Sequence, residues 1–281
     1  MAIILFRLDS SVLTSHHMRQ RTYLYSCRHS PLGTSLRLRS GSGLLIMSSG
    51  CGCGAGRWRE HPGEAGAAPM SVLNEEVGVT ELVSQEFFDG IVNHVDGDYP
   101  GKSFYTRAAF LEALASFPGF GNAATPDDSR REVAAFFAHV AHETGHFRFI
   151  EEICNDGRAY RDESRAEYPC APGKRYFGRG PLQLTWNYNY GAAGKSIGYD
   201  LLASPETVAE DPVVSFKTAL WYWMERVRPA AKAGTGFGAT IRAINGGECG
   251  GGNPKAVERR VRFYKEYCER FGVAPGDNLT C

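Results

Sequence analysis

Thr125-Pro126-Asp127-Asp128-Ser129-Arg130-Arg131-Glu132-Val133-Ala134-Ala135-Phe136-Phe137-Ala138-His139-Val140-Ala141-His142-Glu143-Thr144-Gly145-His146 is the stretch that decides the fold. Thr125 offers an N-cap, Pro126 fits the first helical position, and Asp128 is an acid at the third. Val133, Phe136, Phe137, Val140 and Ala141 then recur at i, i+3, i+4, i+7 and i+8, the spacing that lines one face of a helix. Gly145 predicts the end of that helix. The same grammar recurs on the C-terminal side. Asp211-Pro212 opens a helix with Val213, Phe216, Leu220, Trp221, Met224 and Val227 on one face. Asn253-Pro254 opens another, striped by Val257, Val261, Tyr264, Cys268 and Phe271 and closed by Gly272. On the N-terminal side, Phe87, Phe88, Ile91, Val92 and Val95 mark an earlier helix. Alternation from Leu182 to Trp186 predicts a short strand with Leu182, Leu184 and Trp186 on one face. The fold class expected is mainly α with a short β element.

The chain has 281 residues, 43% of them hydrophobic, with 31 basic and 31 acidic side chains, enough to bury a sizeable core. The charges are unevenly spread. Residues 1–60 hold eight arginines, no lysine and only Asp9 and Glu60 as acids, which leaves the remainder mildly acidic. Such a body offers no basic stripe for a nucleic-acid backbone, so nucleic acid is not expected as a partner. No apolar run approaches the length of a membrane span. Residues 1–77 are rich in Ser, Arg and Gly without a sustained hydrophobic period, and they read as a low-complexity or disordered extension. The apolar run Ala2–Phe6 is too short for a secretory signal peptide. The composition is that of an organelle transit peptide, an unstructured extension or a misassigned gene start. The structured domain is expected over 78–281. Eight cysteines are too few for a disulfide scaffold, and no C-x-x-C pair is present.

Two chemistries compete for His142-Glu143-Thr144-Gly145-His146. The stretch matches H-E-x-x-H, in which two histidines one turn apart bind zinc and the glutamate activates water. Against it, Gly145 interrupts the helix inside the motif, Phe149 stands where a metzincin needs glycine, and no third ligand is evident. The alternative is a carboxyl pair. Glu143 lies in the last turn of its helix beside Phe147 and Phe149, where the dipole and the apolar surroundings both disfavour ionisation, as suits a general acid. Glu151 and Glu152 follow beyond the helix end, and either could face it. Further along, residues 170–191 combine a Gly/Pro turn with Gln183, Thr185, Asn187, Tyr188, Asn189 and Tyr190. Aromatic faces and amides of this kind cover a pyranose and bind its hydroxyl or acetamido groups.

On these residues the sequence resembles the plant class IV chitinases of glycoside hydrolase family 19. The matching motifs are Phe104-Tyr105-Thr106-Arg107, Ala134–His146, Cys170–Gly191, Ala243-Ile244-Asn245-Gly246 and the ending Asn278-Leu279-Thr280-Cys281. The resemblance implies a two-lobed, lysozyme-like helical domain with a substrate cleft, and inverting endo-hydrolysis of β-1,4-linked N-acetylglucosamine without metal or cofactor. It implies Glu143 as general acid, Glu152 rather than Glu151 as general base, and Thr185 as the hydroxyl that helps to hold the attacking water. It further implies His142, Gln183, Tyr188, Asn189, Asn245 and Arg260 along the cleft. Chitin and N-acetylglucosamine oligomers are the implied partners of a monomeric enzyme, and the implied location is extracellular or vacuolar, with roles in defence against fungi and cell-wall breakdown. The other readings are a non-hydrolytic chitin-binding protein of the same fold and a zinc peptidase.

The cysteines depart from the family pattern. Of the chitin-binding module that usually precedes the domain in that family, only Cys51-Gly52-Cys53-Gly54 shows a resemblance. Tyr99 and Arg148 stand where one bridge has its two ends, and Arg161 stands where Cys170 usually finds its partner. The resemblance ties Cys249 to Cys281. Cys268, on an apolar stripe, is expected as a buried free thiol, and Cys154 is left to pair with Cys170.

Overall fold

In chain order the helices are α1 (Val79–Leu82), α2 (Gln85–Val92), α3 (Pro100–Phe104), α4 (Arg107–Leu114), α5 (Pro126–Thr144), α6 (Asn187–Ile197), α7 (Thr207–Glu210), α8 (Pro212–Tyr222), α9 (Arg228–Ala230), α10 (Gly236–Asn245) and α11 (Pro254–Arg270). A π turn, Trp223–Val227, continues α8 into α9, and a 3₁₀ turn, Gly246–Glu248, follows α10. The computed structural model describes residues 77–154, 157–231 and 236–281. Apart from Val77, the N-terminal extension lies outside the described residues, and with it Cys51-Gly52-Cys53-Gly54.

The three long helices start where their caps are written. The Thr125 hydroxyl accepts from the Asp128 N–H at 3.1 Å, the Asp211 carboxylate from the Val213 N–H at 2.8 Å, and the Asn253 amide oxygen from the Ala256 N–H at 3.2 Å. In each case proline follows at the first helical position, where a missing N–H costs nothing. Helix α5 ends as predicted, with Gly145 in the left-handed conformation at φ 61°. The next two residues, His146 and Phe147, stay left-handed at φ 63° and 58°, a costly choice for residues with a Cβ. Phe147 offsets that cost by full burial, its ring stacked on Phe88 with centroids 5.1 Å apart. The Thr144 hydroxyl donates to Val140 O and accepts from the Phe147 N–H, tying the reversal to the helix it leaves.

Two hydrophobic clusters make the two lobes. The larger gathers Phe87, Phe110, Phe136, Phe137, Phe216 and Trp223 with the apolar faces of α2, α4, α5, α10 and α11. The smaller is built from Tyr160, Tyr176, Leu184, Tyr190, Leu201, Val208, Val214 and Trp221. Helix α8 serves both, Phe216 and Leu220 facing the first and Val214 and Trp221 the second. Among the described residues no helix is long and apolar enough to cross a membrane.

The strand expected over 182–186 is not formed. In its place are two isolated antiparallel bridges, Glu151 to Arg179 and Arg179 to Leu184. Gln183 and Trp186 have φ of 48° and 77°, so the backbone turns twice where a strand must stay extended. The expected polar face is lost with it: Gln183 and Thr185 are as buried as Leu182 and Leu184.

Candidate active site

The predicted site residues fall into two groups. The first lies where α5 packs along α11. Glu143, in the last turn of α5 and 5% exposed, accepts a hydrogen bond from Arg260 Nη2 at 2.5 Å. Arg260, on α11 and 1% exposed, also grips Glu248 with two prongs, Nε to Oε2 at 2.8 Å and Nη2 to Oε1 at 2.9 Å. Its Nη1 faces His139 Nδ1 at 3.1 Å. Asn245, at the end of α10, donates to Glu248 Oε1 at 2.9 Å. His142 puts Nε2 3.9 Å from the same oxygen, while its buried Nδ1 has no hydrogen-bond partner among the described residues.

Burial raises the Glu143 pKa, Arg260 pulls it back, and the Glu248 charge pushes it up again. The bidentate pairing with Glu248 already matches the guanidinium charge, so an ionised Glu143 would leave this dry cluster net negative. Burial and the Arg260 charge hold both His139 and His142 well below the usual histidine range, so neither offsets that excess. A protonated Glu143 is therefore the balanced state of the cluster.

The second group is built on loops. Glu152, 8% exposed, donates its backbone N–H to Gly178 O at 2.8 Å. Its carboxylate accepts from the Tyr160 hydroxyl at 2.9 Å and from the Gly178 N–H at 3.3 Å. Burial raises the Glu152 pKa, and these two donors oppose the rise. Burial and the Glu152 hydrogen bond push the Tyr160 hydroxyl up to about 12, so it stays a donor. A Cβ on Gly178 would stand 2.9 Å from Gln183 Oε1 and 3.4 Å from Thr185 Oγ1, so a side chain there would displace the Gln183 amide. Both groups thus crowd the glycine that holds Glu152. The Thr185 hydroxyl donates to Gln183 O at 2.8 Å, which leaves its lone pairs as acceptors. Gln183 anchors its amide nitrogen on Gly180 O at 3.0 Å, and its buried Oε1 has no partner among the described residues. Asn189 donates to Thr185 O at 2.8 Å. The Tyr188 ring stacks on Trp186 and lies under the Arg165 guanidinium. Glu151 is exposed and paired with Arg179 at 2.8 Å. Between the two groups, Tyr222 at the end of α8 packs against both lobes and lies within electrostatic reach of both Glu143 and Tyr188.

The H-E-x-x-H reading loses its geometry at Gly145. His146 is off the helix, its ring stacked on His94 with centroids 4.0 Å apart, while His142 turns toward Glu248. Among the described residues no three His, Cys, Asp or Glu side chains are grouped to hold a metal ion.

Cys249 and Cys281 are bridged, and Cys268 is a buried free thiol. The expected Cys154–Cys170 pair is not formed. Cys170 is a free, partly buried thiol, and Cys154 is in a disulfide that does not involve it. With Cys154 engaged elsewhere, Arg161 holds the turn that starts at Cys170, its Nη1 donating to Ala171 O at 2.8 Å and Lys174 O at 3.1 Å. The Tyr99 and Arg148 positions are joined likewise, with the guanidinium 4.3 Å above the tyrosine ring and a hydrogen bond of 2.8 Å to its hydroxyl. Sequence reasoning missed Glu248, His139 and Tyr160. A buried Arg260 demands a counter-charge, and Glu248, in the Gly-rich turn after Asn245, was the acid in range. His139, one turn before Glu143, shares its helix face. Tyr160 carried no local signal.

Comparison with known proteins decides the family. The family 19 glycoside hydrolase model described as "Chitinase class I" matches residues 82–234 and 225–281. The chain belongs to glycoside hydrolase family 19. It is 59% identical over 206 residues to the endochitinase EP3 of Arabidopsis thaliana, covering 73% of this chain and 75% of that protein. It is 53% identical over 226 residues to chitinase 4 of Oryza sativa subsp. japonica, covering 78% and 79%. The crystal structure of a class IV chitinase from Zea mays superposes with a TM-score of 0.69 at 53% identity, over 72% of this chain and 98% of that one. A bacterial family 19 chitinase superposes with a TM-score of 0.65 at 40% identity.

Proposed function

We propose that residues 78–281 form an endo-acting, inverting chitinase in which Glu143 protonates the glycosidic oxygen and Glu152 deprotonates the attacking water. The observation that carries this reading is the pair of carboxyls in unlike settings. Glu143 sits in a buried cluster whose charges balance when it is protonated. Glu152 sits on a loop and accepts from two neutral donors, as a base that must bind a water would. Inversion places that water between the base and the anomeric carbon, which calls for carboxyls roughly 6.5 to 9.5 Å apart. The acceptor lone pairs of Thr185 suit it to hold the water. The stacked Trp186 and Tyr188 suit the pyranose faces of an N-acetylglucosamine chain, and Gln183 is assigned to shaping the loop behind them. Asn245 and Arg260 are engaged with Glu248, so we assign them to arranging the acid rather than to gripping sugar. His142, buried with its ring turned toward Glu248, is assigned with them to the surroundings of the acid. Action on chitin as a monomer, outside the cell or in the vacuole, with roles in defence and cell-wall breakdown, follows from the family reading.

Proton NMR of a freshly started chitin-oligomer digest tests the stereochemistry. The α-anomer should appear first and relax toward equilibrium. A β-anomer appearing first would overturn the inverting mechanism. Oligomers bound but not cut would favour the non-hydrolytic alternative.

A further inference from the structure

Helix α5 carries a second buried group aimed at the same guanidinium. His139 is fully buried one turn before Glu143, with its ring stacked on Phe237 at 4.9 Å and 18°. Its two nitrogens have different partners. Nδ1 faces Arg260 Nη1 at 3.1 Å, and Nε2 faces the Thr240 hydroxyl at 2.8 Å.

The hydrogen positions follow from the partners at both ends. A guanidinium only donates, so Nδ1 must present its lone pair. The Thr240 hydroxyl spends its one proton on Phe237 O at 2.7 Å, so toward His139 it can only accept, and Nε2 must carry the hydrogen. Both ends select the same neutral tautomer. The result is a chain of donors running from Thr240 to Phe237 O, from His139 to Thr240, from Arg260 to His139, and from Arg260 to Glu143. Glu248 clasps one edge of the guanidinium and His139 the other, which directs the remaining Nη2 hydrogen at Glu143. A carboxylate in place of His139 would fix the guanidinium equally well, but it would add a negative charge and compete with Glu143 for the cation. A neutral acceptor sets direction and leaves the charge balance alone.

We propose that His139 is a positioning residue for the reaction: its unprotonated Nδ1 holds Arg260 in the orientation that serves Glu143, and Thr240 locks the imidazole in the tautomer that allows this. The proposal rests on the reading of Glu143 as the acid. The charged group facing the ring is Arg260 from α11, with His142 of its own helix within electrostatic reach and Glu143 and Glu248 beyond the guanidinium. Helix α10 and the π turn present Thr240, Phe237 and Trp223, which do not titrate.

The test combines four variants with one spectrum. Removing an acceptor from a charged donor costs roughly 10- to 100-fold, so His139→Leu should lower kcat on chitin hexamer by about that factor while KM stays within about twofold. His139→Asn, which returns an acceptor to the Nδ1 position, should recover most of the loss. Thr240→Val, which leaves the buried Nε2–H without its acceptor and removes the second hold on the ring, should lower kcat several-fold, and Thr240→Ser should restore it. A merely structural role would lower the melting temperature of these variants without the kcat-against-KM split or the rescue. Where His139→Leu does not fold, Thr240→Val carries the kinetic test. Long-range ¹H–¹⁵N spectra of histidine-labelled wild-type protein should show the Nε2–H tautomer at His139 from about pH 5 to 8. An Nδ1–H tautomer, or a folded His139→Leu protein with wild-type kcat, would overturn the proposal. The acid assignment fails separately: an active Glu143→Gln protein beside an Nε2–H spectrum would remove the acid and leave the hydrogen-bond chain standing.

Discussion

Glu143 rests on two long helices and a guanidinium clasped from both edges, whereas Glu152 rests on a loop, one tyrosine hydroxyl and one backbone N–H. Burial raises the pKa of both carboxyls, so burial alone does not assign their roles. The partners do. The acid side holds a cation that cannot lose its proton, already matched by Glu248, so the arrangement is stiff and its charge state defined. On the base side the two groups that donate to Glu152 are neutral, Arg158 adds a positive charge within electrostatic reach, and the backbone around it is turned by left-handed residues at Tyr160, Gln183 and Trp186. In the proposed mechanism, helices fix the group whose proton is aimed at one oxygen, and loops hold the group that meets the water.

The largest test of that contrast is Glu143→Gln, which should lower kcat by roughly 10²- to 10⁴-fold while binding of chitin oligomers survives, because the amide keeps the shape but has no acidic proton. Binding followed by calorimetry and turnover followed by product release give the two readouts. Next comes the basic limb of the kcat profile, which reports loss of the acid proton. The Glu248 charge raises the Glu143 pKa, so Glu248→Gln should move this limb to lower pH. A smaller effect belongs to Tyr160→Phe. Its hydrogen bond lowers the Glu152 pKa, so removing it should raise that pKa and move the acidic limb to higher pH. The two variants should therefore shift opposite limbs in opposite directions. Glu151→Gln should change kcat by less than about twofold, since this carboxylate is exposed and its buried partner Arg179 keeps its hydrogen bonds to Arg175 O and the Tyr190 hydroxyl. An inactive Glu151→Gln beside an active Glu152→Gln would exchange their roles.

Local signals carried the helical frame. Thr125-Pro126, Asp211-Pro212, Asn253-Pro254 and Gly145 mark boundaries through capping chemistry, which acts within one turn and is therefore written in neighbouring residues. Glu143 and Glu152 were singled out through motif and resemblance, and the structure finds both buried. What stayed hidden depends on distant partners. Glu248 meets Arg260 only once α11 returns along α5, and Tyr160, whose backbone is left-handed, meets Glu152 across an eight-residue loop. The strand at 182–186 failed for a related reason: alternation describes which residues are apolar, whereas Gln183 and Trp186 are turned by contacts with other loops, and both faces are buried. The Cys154–Cys170 expectation treated cysteines as the only staples, and Arg161 holds the turn without one.

The most direct measurement of the acid and base assignment uses a chitin-oligomer substrate with a leaving group that departs without protonation, such as a glycosyl fluoride, on Glu143→Gln and Glu152→Gln in parallel. The account predicts that Glu143→Gln regains most of its turnover, because the proton it lacks is no longer needed, while Glu152→Gln stays inactive because the water still needs a base. Recovery of Glu152→Gln with Glu143→Gln left inactive would contradict it.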